Sequence, residues 1–224
     1  MAMAFNFLTL NQTNYADATA LQETLFAELL QSKSKGEWIK GTLIFLQHSP
    51  VYTLGKSGNI KNLIVPIEET DADYFKTNRG GDITYHGPGQ LTGYPIFDLD
   101  AFGMGVREYV ETIEQCVIEC IGDYGLKGSR LKGASGVWLS PNTSNERKIC
   151  AVGIKISRGV SMHGFAFNIN TDLSYFDNII PCGLEGKGVT SLANELKTEV
   201  DFFEVEKNLL KKFERHFKLK KSRN

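Results

Sequence analysis

The stretch ICAVGIKISRGVSMHGFAFNI, residues 149–169, decides the fold class. Large apolar side chains alternate with small or polar ones over residues 149–156 and again over residues 162–169, which is the period of a strand with one packed face. The alternation therefore predicts two neighbouring strands. In the second strand it predicts four large side chains on one face: His163, Phe165, Phe167 and Ile169.

The opposite face of both predicted strands carries small side chains. Ala151 and Gly153 lie on this face of the first strand, and Gly164 and Ala166 lie on it in the second. Such residues leave room beside the backbone, so a thin and long ligand such as an acyl chain could approach the sheet closely. Tight packing of a helix on these strands would explain the same residues equally well.

The rest of the chain places helices around further strands. Apolar residues recur at helical spacing in three segments: 15–31, 105–124 and 203–217. Additional strands are predicted in three others: 41–47, 91–99 and 136–139. Because the strands come in adjacent runs, with helices at the ends and in the middle, the pattern predicts an α+β fold. We find no repeat and no linker, which favours a single domain over residues 1–224.

Composition narrows the class of protein. The chain has 224 residues, of which 42% are hydrophobic and 23% charged, with a net charge of −1. These values predict a soluble globular protein without a membrane or nucleic-acid partner. The four cysteines form no Cys-x-x-Cys pair, and the N-terminal residues do not resemble a secretory signal, so we expect a cytoplasmic protein with reduced thiols. No metal-ligand spacing is present, and we expect no metal and no cofactor.

Residues 79–90, RGGDITYHGPGQ, concentrate glycine with polar side chains. Glycine lets the backbone come close to a ligand, and exposed amide N–H groups can hold an oxyanion, so the segment is a candidate substrate cradle. It lacks the spacing of a phosphate-binding loop. A glycine-rich hairpin turn capped by Asp82 and Thr84 is an equally good interpretation of the residues alone.

Cys182 is the candidate nucleophile among the cysteines. It stands between Pro181 and Gly183 in a predicted turn, whereas Cys116 and Cys120 share one predicted buried helix face. A nucleophilic cysteine needs a histidine or a cation that favours the thiolate. Lys148, His86 and His163 are available, although Lys148 could be a solvated lysine at a strand end and His163 a core histidine.

Several of these segments together resemble the lipoyl(octanoyl) transferases. The resemblance is carried by residues 79–90, 147–153, 163–166, 181–183 and 189–192, and extends to 51–55, 94–95 and 136–138. It implies a single domain similar to the catalytic domain of biotin and lipoate protein ligases, with a mixed sheet flanked by helices.

The resemblance also implies an activity and its partners. The family transfers an octanoyl group from octanoyl-acyl carrier protein to a specific lysine of lipoyl domains, in 2-oxoacid dehydrogenase complexes and in the glycine cleavage H protein. The acyl group would rest as a thioester on Cys182, with Lys148 lowering the pKa of the thiol. The implied substrate-contacting residues form three groups: Arg79, Gly80, Gly81, Asp82, Ile83, Thr84, Tyr85 and His86; Ala151, Val152 and Gly153; and Gly164, Phe165 and Ala166.

Two other functions stay open at this point. An ATP-dependent lipoate or biotin protein ligase of similar fold would activate its acid as an adenylate and carry no acyl group on Cys182. A non-catalytic protein that binds lipoyl domains would bind without turnover. The adenylate loop of a biotin ligase is expected to have a Gly-Arg-Gly-Arg type sequence, whereas here Asp82 follows Gly81.

Overall fold

The structure is a computed structural model, and it describes residues 3–180 and 188–221. The strands within these ranges are β1 (Met3–Thr13), β2 (Gly41–His48), β3 (Val51–Leu54), β4 (Asp73–Lys76), β5 (Ile83–His86), β6 (Gln90–Ile96), β7 (Gly128–Leu131), β8 (Ala134–Leu139), β9 (Arg147–Ser157), β10 (Val160–Asn168), β11 (Gly188–Val189) and β12 (Leu219–Lys221). The α-helices are α1 (Tyr15–Ser34), α2 (Leu99–Phe102), α3 (Val106–Gly122), α4 (Leu192–Leu196) and α5 (Phe202–His216). Short 3₁₀ helices cover Ile60–Asn62, Ile67–Glu69 and Leu173–Asn178.

Most strands belong to one mixed sheet. Its order is β12-β1-β2-β6-β10-β9-β8-β7, and β11 pairs separately with β9. The pairs β12–β1, β1–β2 and β11–β9 are parallel, and the other neighbours are antiparallel. The predicted α+β class with a mixed sheet is therefore confirmed.

Helices cover both faces of this sheet. On one face α3 and α5 pack their apolar stripes against the central strands, with Ile113, Val117, Leu209 and Phe213 fully buried. On the other face α1 covers β2, β6 and the start of β10. Ala151, Gly153, Gly164 and Ala166 lie on this second face outside the cluster that α1 covers, so none of the described helices covers the small-sided part of the sheet.

A second, smaller sheet stands over that uncovered part. It has the order β4-β3-β5, with β3 parallel to β4 and antiparallel to β5. Its own apolar cluster includes Tyr52, Ile83, Tyr85 and Phe176. The glycine-rich segment is thus more than a hairpin turn, because its residues 83–86 form strand β5 and its first residues lead into that strand.

The predicted helices and strands are confirmed within a few residues, with one clear exception. The strand expected over residues 91–99 ends at Ile96. Asp98 caps helix α2 there, accepting a hydrogen bond from the Asp100 N–H at 3.1 Å, and an N-cap diverts the chain from a strand into a helix. Among the helices of the described residues, none has the length and the apolar character that crossing a bilayer requires.

Candidate active site

A cavity of about 430 Å³ lies between the main sheet and the segment that leads into β5. This volume is within the range of small-molecule sites, roughly 300–1,000 Å³. All of the implied substrate-contacting residues except Tyr85 line it, together with Lys148. Further lining residues, to which the sequence assigns no contact with substrate, include Tyr15, Ser57, Thr92, Tyr94, Val110 and Ser135.

The small side chains of β9 and β10 form the sheet wall of this cavity. Ala151 and Gly153 of β9 face it beside Gly164 and Ala166 of β10. At Gly153 a Cβ atom would come within 2.9 Å of the Gly80 carbonyl oxygen, so the missing side chain also lets the glycine-rich segment approach the strand. Of the two interpretations of this face, the structure supports the open wall, because no helix within residues 3–180 and 188–221 packs on these four residues.

A β-bulge turns Lys148 towards the cavity. Val137 of β8 pairs with Cys150, but the next β8 residue, Trp138, pairs with Lys148, so β9 has one extra residue at this point. As a result Ile149 and Cys150 both lie in the core beneath α3. Strict alternation would put Lys148 on the same face as Cys150, whereas the bulge puts it on the face of Ala151.

The Lys148 side chain is buried beside an aromatic ring. It is 7% exposed, and its Nζ lies 4.6 Å from the centroid of the Trp138 ring. The amine nitrogen thus lies over the indole face. Lys148 is therefore not a solvated lysine at a strand end: it is a buried amine whose position is set by an aromatic neighbour.

His163 faces the cavity, which corrects the prediction that it shares a face with Phe165 and Phe167. Phe165 and Phe167 pack their rings in the core beneath α5, although Phe165 also borders the cavity, whereas the His163 ring lines the cavity and faces Asn78. The reason is its backbone: φ is +61°, the left-handed region, which is rare for a non-glycine residue and costs about 1–3 kcal/mol. The reversed side-chain direction follows from this local conformation.

Polar contacts stabilise His163 in that conformation. Its backbone N–H donates to the side-chain oxygen of Gln22 from α1 at 3.0 Å, and its Nε2 lies 2.8 Å from Oδ1 of Asn78. Burial, together with the nearby Arg79 and Lys155 charges, lowers the pKa of His163 to about 3. At neutral pH the ring is therefore uncharged, and it offers the cavity a neutral polar group.

Three of the implied substrate-contacting residues are chiefly structural. Arg79 donates to the Thr53 carbonyl oxygen at 2.5 Å and to the Thr53 hydroxyl at 2.8 Å, which fixes the segment to β3. Asp82 accepts hydrogen bonds from the Ile83 N–H and from the Asn62 side chain, each at 2.6 Å. Tyr85 packs away from the cavity lining, with its ring 4.3 Å from that of Tyr175.

A buried cluster of tyrosine and histidine rings closes the cavity beneath α1, and the sequence analysis missed its role. Tyr15 and Tyr94 line the cavity, and His48 lies behind them. His48 donates from Nδ1 to the Thr13 carbonyl oxygen at 2.9 Å and accepts at Nε2 from the Tyr94 hydroxyl at 2.6 Å. In the sequence, residues 94–95 point to this region only as part of the family resemblance.

The buried histidines predict a loss of stability in acid. Burial lowers the pKa of His48 to about 4, so the folded protein keeps this ring neutral while the unfolded chain protonates it below about pH 6.5. Between about pH 6.5 and about pH 4 the unfolded state then binds more protons than the folded state, so stability falls as the pH decreases through this range. We expect urea denaturation of a His48→Asn variant to show a slope of free energy against pH that is lower by up to about 1.4 kcal/mol per pH unit. Equal slopes for variant and wild type would contradict this assignment.

Cys182 lies outside the described residues, but the residues on both sides of that segment are placed. Ile180 donates its N–H to the Asn62 carbonyl oxygen at 2.8 Å. After the segment, Val189 of β11 pairs with Lys148 of β9, and the Thr190 N–H donates to the Lys148 carbonyl oxygen at 2.9 Å. The chain thus returns from this segment alongside the cavity lysine.

The other three cysteines are poor nucleophiles. Cys116 and Cys120 are buried on one face of α3, as predicted, and Cys150 is buried in β9. Burial raises the pKa of each thiol, that of Cys120 to about 12. Since the thiolate is the reactive form, these side chains are inert at neutral pH.

Comparison with known proteins identifies the family. Residues 14–214 match the model of the lipoyl protein ligase A/B catalytic domain. The chain belongs to this family. Within it, the chain is 51% identical over 203 residues to a protein of Parabacteroides distasonis named octanoyltransferase, covering 89% of this chain and 92% of that protein. The predicted resemblance to the octanoyltransferases is therefore confirmed.

A second relative of this chain is a considerably longer protein. The octanoyltransferase of Porphyromonas gingivalis is 48% identical over 217 residues, which are 95% of this chain but 44% of that protein. The chain thus spans less than half the length of this relative.

Two solved structures share the fold at much lower identity. A bipartite lipoate protein ligase from Thermoplasma acidophilum matches with a TM-score of 0.72 and 16% identity, over 99% of this chain and 87% of that chain. Lipoate-protein ligase A bound with ATP matches with a TM-score of 0.71 and 15% identity, over 99% of this chain and 89% of that chain. The predicted ligase-like fold is confirmed by these two structures.

Proposed function

We propose that this protein transfers an octanoyl group from octanoyl-acyl carrier protein to a lysine of lipoyl domains, through a thioester on Cys182. The relatives named octanoyltransferase, at 48–51% identity, support the transfer itself. One structural observation supports the route: the buried Lys148 lies at the cavity, beside the strand to which the chain returns after residues 181–187. The acceptors would be lipoyl domains of 2-oxoacid dehydrogenase complexes and the glycine cleavage H protein.

The cavity suits an acyl chain with a reactive carbonyl at one end. At Ala151, Gly153, Gly164 and Ala166 the side chains of its sheet wall are no larger than a methyl group. A narrow apolar chain can therefore lie along the backbone. Lys148 brings a nitrogen base to the same cavity. The arrangement therefore fits a substrate that is apolar along its length and polar where it reacts.

The first half-reaction acylates the enzyme. Lys148 accepts the proton of the Cys182 thiol, and the thiolate attacks the thioester carbonyl of the octanoyl-carrier protein. The tetrahedral intermediate collapses with cleavage of the carbon–sulfur bond to the carrier. The carrier thiolate leaves and takes the proton back from Lys148, so charge and protons balance.

The second half-reaction forms the product amide. A neutral lysine amine of the lipoyl domain attacks the Cys182 thioester, a carbon–nitrogen bond forms, and the carbon–sulfur bond breaks. The proton lost by the amine returns to the cysteine sulfur by way of Lys148. Backbone N–H groups stabilise the oxyanion in both steps. Exchange between thioesters is nearly balanced and amide formation is downhill, so this route uses no ATP. The reduced thiol that it needs fits the cytoplasm.

Mass spectrometry of the intact protein tests this route. We expect wild type incubated with octanoyl-carrier protein, without ATP, to gain one octanoyl group that hydroxylamine removes. A Cys182→Ser variant is expected to gain no hydroxylamine-labile group, because the nucleophile is gone. Cys116→Ser is the matched control, since that thiol is buried in α3 and should not affect labelling.

Two outcomes would replace the proposal. Product that forms only when ATP and free octanoate or lipoate are supplied would identify a ligase. Tight binding of lipoyl domains without any turnover would identify a binding protein. Both alternatives use the same fold, and the mass of the enzyme after the first incubation separates them from the transferase.

A further inference from the structure

A chain of buried hydrogen bonds connects the cavity segment with the residues that follow position 187. It begins at Arg79, which donates to the hydroxyl of Thr53. Thr53 Oγ1 lies 3.2 Å from Nε2 of His86, and Nδ1 of His86 lies 2.8 Å from Oε1 of Gln90. The Gln90 amide then donates to Oδ1 of Asn168 at 2.9 Å.

Asn168 continues the connection to the residues that follow β11. Its Nδ2 donates to the Thr190 carbonyl oxygen at 3.0 Å, and the Thr190 hydroxyl donates to Glu195 at 2.6 Å. Glu195 in turn accepts from Arg147, which lowers the pKa of its carboxyl group. Thr190 is fully buried. Its backbone N–H donates to the Lys148 carbonyl oxygen, and its carbonyl oxygen accepts from the Asn168 side chain.

The chain has only one consistent direction. Arg79 can only donate to the Thr53 hydroxyl, and the Tyr85 and Thr190 carbonyl oxygens can only accept from the amides of Gln90 and Asn168. The hydroxyl, ring and amides between them are therefore oriented from donor to acceptor. Burial and the nearby His48 and Arg79 lower the pKa of His86, which keeps its ring neutral. The proton lies on Nδ1, because the Gln90 Oε1 that it faces can only accept. Hydrogen bonds aligned in this way strengthen one another in a buried setting.

A second connection reaches the residue before position 181. The Asp82 carboxylate accepts from the Asn62 side chain at 2.6 Å, and the Asn62 carbonyl oxygen accepts from the Ile180 N–H at 2.8 Å. The cavity segment 79–86 is therefore hydrogen-bonded to the described residues on both sides of 181–187, through Asn62 on one side and Asn168 on the other.

From this geometry we propose that Asn168 and Asn62 are positioning residues for acyl transfer. They hold the two ends of the segment that contains Cys182 in a fixed relation to the cavity and to Lys148. This inference rests on the proposed function, because the residue that the two asparagines position is the proposed nucleophile, Cys182. Neither residue touches the reacting atoms: each acts through the backbone that it fixes.

The test compares two asparagines that make the same kind of bond. Asn168→Leu keeps the shape of the side chain and removes its hydrogen bonds. Asn170→Leu is the control: Asn170 donates to the Val200 carbonyl oxygen at 2.8 Å, a comparable contact away from the cavity. Alkylation of Cys182 by iodoacetamide is followed by mass spectrometry from about pH 6 to pH 10, and acylation by octanoyl-carrier protein is measured in parallel.

We expect Asn168→Leu to slow both reactions of Cys182 by roughly 10- to 100-fold at neutral pH, since a displacement of about 1 Å has such effects. The pH of half-maximal alkylation should rise, because the displaced thiol loses the Lys148 amine that takes up its proton. Asn170→Leu should match wild type in both rates. Loss of folded protein alone would not move the pH profile of the folded fraction.

Other results separate this inference from the proposed function. Wild-type rates and an unchanged pH profile in Asn168→Leu would overturn the inference while leaving the transferase intact. A wild type that is never acylated would overturn the proposed function, whatever the asparagines do. If Asn168→Leu does not fold, the Asn62→Ala variant decides, because it removes only the partly exposed hydrogen bond to Asp82. Slower alkylation of Cys182 in this variant supports the positioning role, and a wild-type rate refutes it.

Discussion

Replacement of Lys148 with methionine is expected to slow acylation of the enzyme by about 10²- to 10⁴-fold, the contribution of a positioned general base. Methionine has a similar length and keeps the contact with the Trp138 ring, where Lys148 Nζ lies 4.6 Å from the centroid. The fold should therefore survive. Single-turnover acylation by octanoyl-carrier protein, followed by intact mass, measures the rate, and thermal denaturation measures the fold.

Lys155→Met is the matched control for this prediction. Lys155 lies on the same strand and also places its Nζ over an aromatic ring, 5.1 Å from the centroid of Phe26, but it does not line the cavity. Acylation by this variant should proceed as in wild type. If Lys148→Met were acylated as fast as Lys155→Met, Lys148 would have no part in activating the thiol.

The general architecture could be predicted from the sequence because it depends on periodicity. Residues 149–156 and 162–169 alternate so regularly that two paired strands were expected, and β9 and β10 are paired as predicted. Helices α1, α3 and α5 followed from apolar stripes at helical spacing. In such segments local pattern and tertiary packing favour the same structure.

The departures fall where a backbone irregularity changes side-chain direction. His163 was assigned to the core face by alternation, and its left-handed φ puts it in the cavity instead. The order of the small sheet, β4-β3-β5, and the hydrogen-bonded chain through Gln90 and Asn168 depend on contacts between distant parts of the chain. No pattern within a window of a few residues contains that information.

Replacement of Gly164 with alanine is expected to cost about 3 kcal/mol or more of folding free energy, the upper range for overpacking. A Cβ atom at this position would overlap the Gly93 carbonyl oxygen in the adjacent strand β6, and a backbone oxygen cannot rotate out of the way as a side chain can. The two central strands would have to separate beside the cavity. Urea denaturation at neutral pH measures the loss.

Gly122→Ala provides the opposite expectation with the same chemical change. Gly122 is the last residue of α3, and nothing lies within 4 Å of the position that its Cβ would occupy. Alanine there should stabilise the protein by about 0.5–1 kcal/mol, since it restricts the unfolded chain and favours the helix. Equal effects of the two substitutions would show that β6 and β10 can move apart freely.

Because of the bulge in β9, the direction of the Lys148 side chain depends on the number of residues between Lys148 and Ala151. Ile149 contributes an extra step to the strand, and this step sets the phase of Lys148 relative to Ala151. An insertion or deletion of one residue between these two positions would preserve every side chain of the cavity wall and still rotate the amine into the apolar core. Along this strand, changes of length are therefore more damaging than conservative changes of residue type.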